Sequence, residues 1–164
     1  MTPVRKSAAL PTREAVFESA AALFSRRGFD GVSVDDIARQ AGVNKAMIYY
    51  HFADKLALYR AVLADGLSRM GATASGIDTS ADRPAGKLDR FIEAFVRMTE
   101  IRPWMPALML REIAEGAPRL DADTLSHMRV VVASFASILA QGQQTGQAPK
   151  DGKQKQQQDS ASKS

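Results

Sequence analysis

Apolar residues recur three and four positions apart along most of the chain, and no stretch alternates with the period of two that a strand needs. From Thr12 the positions Val16, Phe17, Ala20, Leu23 and Phe24 trace one face of a helix. Thr12 stands at its start as an N-cap, Glu14 lies in its first turn, and Arg26 and Arg27 lie in its last turn before Gly28. Each charge suits the helix dipole at its own end. Ser33 then opens a shorter helix that buries Ile37, Ala38 and Ala41 and stops at Gly42. An acid three residues after Ser33 predicts a capping box, and Gly42 supplies a left-handed C-cap.

Asn44 is the next N-cap. The helix after it, from Lys45 to about Phe52, buries Ile48 and Phe52 and leaves Lys45, Met47, Tyr49, Tyr50 and His51 more exposed. Asp54 caps a longer helix with Leu56, Tyr59, Val62, Leu63, Leu67 and Met70 inside, fading into the small residues 71–76. Residues 76–86, rich in Gly, Asp, Ser and Pro, read as a linker. Three more helices follow, over about 85–102, 103–115 and 125–144, the second less regular because Pro106 needs a first turn or a kink. The prediction is an all-α chain. A flexible arm covers 1–11, a first helical unit with its connecting helix 12–75, a second helical unit 85–146, and a disordered tail 147–164. From residue 148 on, the tail has no Val, Ile, Leu, Met or aromatic residue with which to offset the entropy of ordering.

Composition narrows the chemistry. With no cysteine, disulfides, thiolate metal sites and thiol nucleophiles are excluded, and the two histidines, His51 and His127, make no metal cluster. No metal and no cofactor is therefore expected. No GxSxG, HExxH, P-loop or GxGxxG pattern occurs, and Asp35, Asp36, Asp121 and Asp123 are acids at helix starts, so no enzyme is expected. Val130 to Ala140 is too short to span a bilayer, and no apolar run follows Arg5 and Lys6. A cytoplasmic protein with no membrane partner is expected.

The net charge of +4 is uneven along the chain. Residues 1–71 hold ten Lys and Arg against seven Asp and Glu, residues 72–147 eight against nine, and residues 148–164 four against two. The basic N-terminal part is suited to an anionic partner. Two short helices around a glycine turn make a helix-turn-helix, whose second helix enters the DNA major groove, about 12 Å wide. Ser33 and the free amides of residues 34–36, Val34 first, suit a phosphate. On the second helix Lys45 can donate to guanine and Met47 can pack on a thymine methyl. Tyr49, Tyr50 and His51 reach phosphate oxygens, and Lys55 adds charge just beyond.

The string from 31 to 55, GVSVDDIARQAGVNKAMIYYHFADK, resembles the DNA-binding domain of the TetR family of bacterial transcriptional repressors. It carries the family pattern in Ser33, Ile37-Ala38, Ala41-Gly42-Val43, Asn44, Ile48-Tyr49, His51-Phe52 and Lys55, and Ala21-Ala22-Leu23-Phe24 leading to Gly28-Phe29 fits the preceding helix. The likeness covers about residues 12–70. Val32 stands where a threonine is frequent, and Ala46, within the DNA-facing set with Asn44, where a glycine is frequent.

The resemblance implies a repressor that binds a palindromic operator on double-stranded DNA as a homodimer and is released by a small apolar or amphipathic effector. It also implies a C-terminal module for ligand and dimer contacts. Phe91, Phe95, Met98, Trp104, Met105, Met109, Met128 and Phe135 are the large adaptable side chains available to line its pocket, with Glu93, Arg111 and Glu112 as polar candidates or plain surface charges. Family members usually continue into two long helices that pair with a second subunit, and here the tail stands in their place. Weak dimerisation or none is the expectation for this chain. The alternative reading is a truncated helical protein acting only as a weak DNA-binding or interaction module.

Overall fold

The computed structural model describes residues 12–146. The arm 1–11 and the tail 147–164 lie outside the described residues, and so do the expectations placed on them. Among the described residues the chain is helical throughout, without a strand. The order is α1 (Thr12–Arg27), α2 (Val34–Ala41), α3 (Lys45–His51), α4 (Lys55–Asp78), α5 (Pro84–Ile101), α6 (Trp104–Ala114) and α7 (Ala122–Gly146).

Local chemistry sets most of the ends. Ser33 and Asp36 form the capping box: the Ser33 hydroxyl accepts from the Asp36 amide at 3.1 Å, and the Asp36 carboxylate accepts from the Ser33 amide at 3.1 Å. Asn44 accepts from the Met47 amide at 2.9 Å and Asp54 from the Ala57 amide at 2.7 Å. Each cap satisfies a donor that the first helical turn leaves without a partner. Pro106 lies in the first turn of α6, where a missing N–H costs nothing, so this helix is regular after all. Asp121 accepts from the amide and hydroxyl of Thr124 at 2.9 and 2.7 Å, which starts α7 three residues earlier than the apolar pattern suggested.

The larger correction concerns α4. The small residues 71–76 are helix, and α4 runs on to Asp78. Gly71 and Ala74 are buried there, and a Cβ on Gly71 would lie 3.5 Å from the His127 carbonyl and the Val130 side chain. Small side chains at this level let α7 lie close along α4, so they are a packing surface, and the linker shrinks to residues 79–83.

Two apolar cores result. One gathers α1, α2, α3 and the first half of α4 around Phe24, Ile37, Ile48 and Leu63, and takes Trp104, Met105 and Leu108 of α6 into the same cluster. The second joins Met70, Ala74 and Ile77 of α4 to Phe91 of α5 and Ile138 of α7. Fully burying a side chain of this size contributes ~1.5–3 kcal/mol. The division between cores falls inside α4, and α4 is the element common to both.

Two polar ties fasten the cores at opposite ends. Lys87, 6% exposed, donates to the Asp78 carbonyl and to Gln141, placing a positive charge at the C-terminal end of α4. The other is Glu112 on α6, fully buried. Its carboxylate accepts from the Tyr59 hydroxyl at 2.7 Å and from the Arg119 amide at 2.8 Å, and pairs with the Arg119 guanidinium at 3.3 Å. Burial and that carboxylate push the Tyr59 phenol up, so it stays a donor. Arg119 also reaches Asp30 at 2.9 Å, pairs with Glu115, and lies over the Phe29 ring. One residue from the second half thereby holds the turn that leads into α2. Removing Glu112 strands the buried Tyr59 hydroxyl and the Arg119 amide without acceptors and takes one of three carboxylates from the Arg119 guanidinium. Glu112→Ala is expected to lower the free energy of unfolding by ~3–5 kcal/mol in urea titration, while Glu115→Ala, at the exposed edge, changes it by less than ~1 kcal/mol.

Candidate nucleic-acid interface

The α2–α3 pair is built around one turn. Gly42 takes a left-handed conformation (φ 68°), which lets its N–H reach the Ala38 and Arg39 carbonyls and the chain reverse within three residues. Ile48, fully buried, fastens the inner side of α3 to the first core. The opposite side is open: Asn44, Lys45 and Ala46 are exposed, as are Tyr49 and Tyr50, the latter at 79%. Large aromatic surfaces at that exposure carry a dehydration gain not realised within the chain itself.

Each expected contact residue has a definite place. Lys45 sits on the outer face with Nζ 3.0 Å from the Asp35 carboxylate. That hydrogen bond raises its pKa and keeps the ammonium charged. Both partners are exposed, so the pair is weak and the amine can exchange it for another acceptor. Ser33 is exposed, but its hydroxyl donates to Asp36 at 2.8 Å. The Ser33 hydroxyl, followed by the Ser33 amide, holds the Asp36 carboxyl below the ordinary aspartate range. The start of α2 therefore already carries its own anion, and the Ser33 side chain is the cap rather than a free ligand. Val34 is half-buried and packs on the first core.

Met47 and His51 are half-buried rather than open, and the His51 Nε2 is enclosed without a hydrogen-bond partner among the described residues. Lys55 differs most from its expected place. Its Nζ donates to the Phe29 and Val32 carbonyls, each at 3.0 Å, and lies 4.1 Å from the centre of the Phe29 ring. This ammonium is a brace between α4 and the turn before α2, because two carbonyls near one another leave no better partner for it. Arg13, which the helical pattern did not single out, places its guanidinium over Phe52 at 5.1 Å, beside the end of α3. A lone arginine on the exposed side of α1 has no spacing signal, and its position emerges only when α1 and α3 pack together.

The side chains expected to line a ligand pocket do not converge. Trp104 is in the first core with its ring against Phe17, and Met98, Met109 and Met128 pack at the edge of that core. Met105 is buried with them. Phe91 belongs to the second core, its ring 5.0 Å from that of Phe135, while Phe95 and Phe135 are themselves exposed. Of the residues expected in the pocket, only Met98 faces the cleft between α4 and α5. Helical spacing marks apolar residues, but whether they meet a void or one another is settled by how the helices are laid together. Of the polar candidates Glu93 and Arg111 are exposed, and Glu112 is occupied by Tyr59 and Arg119.

If the Lys55 ammonium holds two backbone carbonyls, its loss acts on folding before it acts on any ligand. Lys55→Met is expected to cost ~1–3 kcal/mol of stability, the penalty for carbonyls left without a donor, read as a lower urea midpoint. An unchanged midpoint would return Lys55 to the role of a surface charge.

Residues 16–62 match the sequence model described as bacterial regulatory proteins, tetR family. Over 47 residues the chain is 40% identical to the biofilm operon icaADBC HTH-type negative transcriptional regulator IcaR of Staphylococcus aureus strain Newman, covering 29% of this chain and 25% of that protein. The Staphylococcus epidermidis protein of the same name is 38% identical over 48 residues, covering 29% and 26%. The aligned segment thus spans about a quarter of these curated relatives. Among solved structures, the TetR family transcriptional regulator PfmR of Thermus thermophilus superposes with a TM-score of 0.68 at 29% identity, over 80% of this chain and 71% of that one. The ketosteroid transcriptional regulator KstR2 of Mycobacterium tuberculosis gives 0.73 at 25%, over 86% and 72%. These proteins are named as regulators and not as enzymes, in agreement with the absence of catalytic motifs from the sequence. The capped helix pair around Gly42, the match over residues 16–62 and the shared helical fold agree: residues 16–62 are similar in sequence to the tetR family of bacterial regulatory proteins, and the described helices are similar in fold to solved regulators of that family.

Proposed function

We propose that this chain is a DNA-binding transcriptional regulator that acts as a repressor. In this reading two copies occupy a palindromic operator, and a small apolar or amphipathic effector releases them. The observation that carries it is the outer face of α3, where Lys45, Ala46, Tyr49 and Tyr50 stand free on a helix locked from behind by Ile48. A helix of this length fits a major groove, with Lys45 leaving Asp35 for a guanine edge and the tyrosine hydroxyls on phosphates. Asn44, Met47 and the backbone at Val34 complete the contact set. The repressor sense is supported by the printed name of the staphylococcal relatives, a negative transcriptional regulator.

The effector part of the reading draws on α4. It is one unbroken helix from Lys55, four residues after α3 ends, to Asp78, in the second core. A ligand that shifts its far half moves the near half with it, and with that the α3 that it supports. Two α3 helices must stand one helical repeat of DNA apart, about 34–36 Å, so a small displacement loses one half-site. Residues 12–75 serve DNA in this scheme and residues 85–146 serve regulation, in the cytoplasm where the DNA is.

Sequence selection from a random duplex library, followed by anisotropy titration of the selected site, tests the DNA part. Lys45→Ala is expected to relax specificity at one base pair by ~1–3 kcal/mol, and Tyr50→Ala to weaken binding to all sequences alike. Wild-type affinity for every duplex in both variants would overturn the assignment of α3.

A second reading is a module that falls short of a tight dimer and holds half-sites weakly, and it turns on whether a second copy covers one exposed apolar surface. Ile92, Phe95 and Val96 of α5 and Val132, Phe135 and Leu139 of α7 remain exposed. A stable homodimer covers ~800 Å² or more on each partner. Light scattering at micromolar concentration separates the two readings: a tight dimer removes the second, and a monomer that shifts only half-site DNA removes the palindromic one.

A further inference from the structure

Between α4 and α5 lies a cleft of about 250 Å³ whose lining joins two chemistries. Met70 and Met98 give it an apolar floor with the exposed Ile101 at its rim, and Arg69, Arg97 and Arg102 stand around it. Arg69 donates to the Asp65 carboxylate at 3.1 Å and Arg102 reaches its second oxygen at 3.0 Å. One carboxylate is thus shared by two guanidinium groups, and Arg97 has no acidic partner among the described residues. Three positive charges against one negative leave the cleft short of anion. Arg102 is mostly covered (19% exposed) and lies over the Trp104 ring, so its guanidinium is held in place rather than swinging in solvent.

A guanidinium offers two parallel N–H donors that match a carboxylate in a forked pair, and thioether side chains adapt to an apolar tail. The volume is just under the ~300–1,000 Å³ of pockets for drug-sized molecules, which sets the ligand at the small end of that class. We infer that the α4–α5 cleft binds a small amphipathic anion, with its carboxylate on the arginines and its apolar part on Met70, Met98 and Ile101. As the place where the effector acts, this rests on the regulator reading above; as a binding site, it stands without it. The chemistry also sharpens that reading, because a neutral apolar molecule would leave the arginines unanswered.

The chain carries a single tryptophan, Trp104, in contact with Arg102, so its fluorescence reports on the cleft. The full chain is titrated with octanoate, octan-1-ol and octylamine, with calorimetry alongside. Octanoate is expected to saturate, octan-1-ol to bind at least ~10-fold more weakly, and octylamine not to bind, because only the anion gains charge-assisted hydrogen bonds. Arg97→Gln is expected to weaken octanoate about tenfold while its melting temperature stays that of the wild type, and Arg83→Gln, outside the cleft, to leave octanoate binding as it was. Octan-1-ol binding as tightly as octanoate, no saturable octanoate binding, or wild-type affinity in the Arg97→Gln variant would each overturn the inference. DNA affinity of the wild-type chain is measured with and without octanoate in parallel. Selective octanoate binding that leaves DNA affinity unchanged supports the site and counts against the effector role of the Proposed function alone.

Discussion

The buried carboxylate of Glu112 is the constraint on which the arrangement of the two halves depends. A charge with no exposed surface persists only when its oxygens are answered, and here the Tyr59 hydroxyl, the Arg119 amide and the Arg119 guanidinium answer them. These partners sit on α4 and on the turn between α6 and α7. Through Asp30 and the Phe29 ring, Arg119 extends the knot to the segment that leads into α2. Apolar contacts between α6 and the first core are compatible with some sliding. A network of directed hydrogen bonds in a dry site is not, because any shift strands a polar group.

That register decides what α4 can do. Its first half is held by the first core and by the Lys55 brace on the Phe29 and Val32 carbonyls. Its last turn is held by Lys87, at the far end of the second core. Between these ties it has small residues against α7 and a cleft against α5. The middle of α4 is therefore packed closely against α7 and open only on the side that faces α5. The outer surface of α3 is correspondingly simple: a short helix capped by Asn44 and anchored by Ile48, with Lys45, Tyr49 and Tyr50 left outside.

Local chemistry made much of this legible in the sequence. Capping residues act on amides three positions away, so Ser33 with Asp36, Asn44 and Asp54 mark helix starts without reference to the rest of the chain, and Gly42 marks a reversal that an unsubstituted residue makes readily. The period of the apolar positions identifies α1 through α7 and the outward face of α3 for the same reason. What the pattern misjudged were residues whose partners are distant in sequence. Gly71 and Ala74 read as a fading helix because nothing local shows that α7 lies against them. Lys55 read as an added charge beside the DNA-facing helix, and the carbonyls that occupy it are 23 and 26 residues away.

By itself, then, the sequence determined the all-α class, the helix-turn-helix and the residues that cap it, since each depends on energies exchanged within a few residues. Only the tertiary structure decided where the halves meet and what is empty. The expected pocket side chains Trp104, Met109 and Phe91 became core, while Arg69, Arg97 and Arg102, which no spacing rule joins, came to surround one cleft. A pocket is a shortfall in packing between helices, and no single helix carries a record of what its neighbours fail to fill.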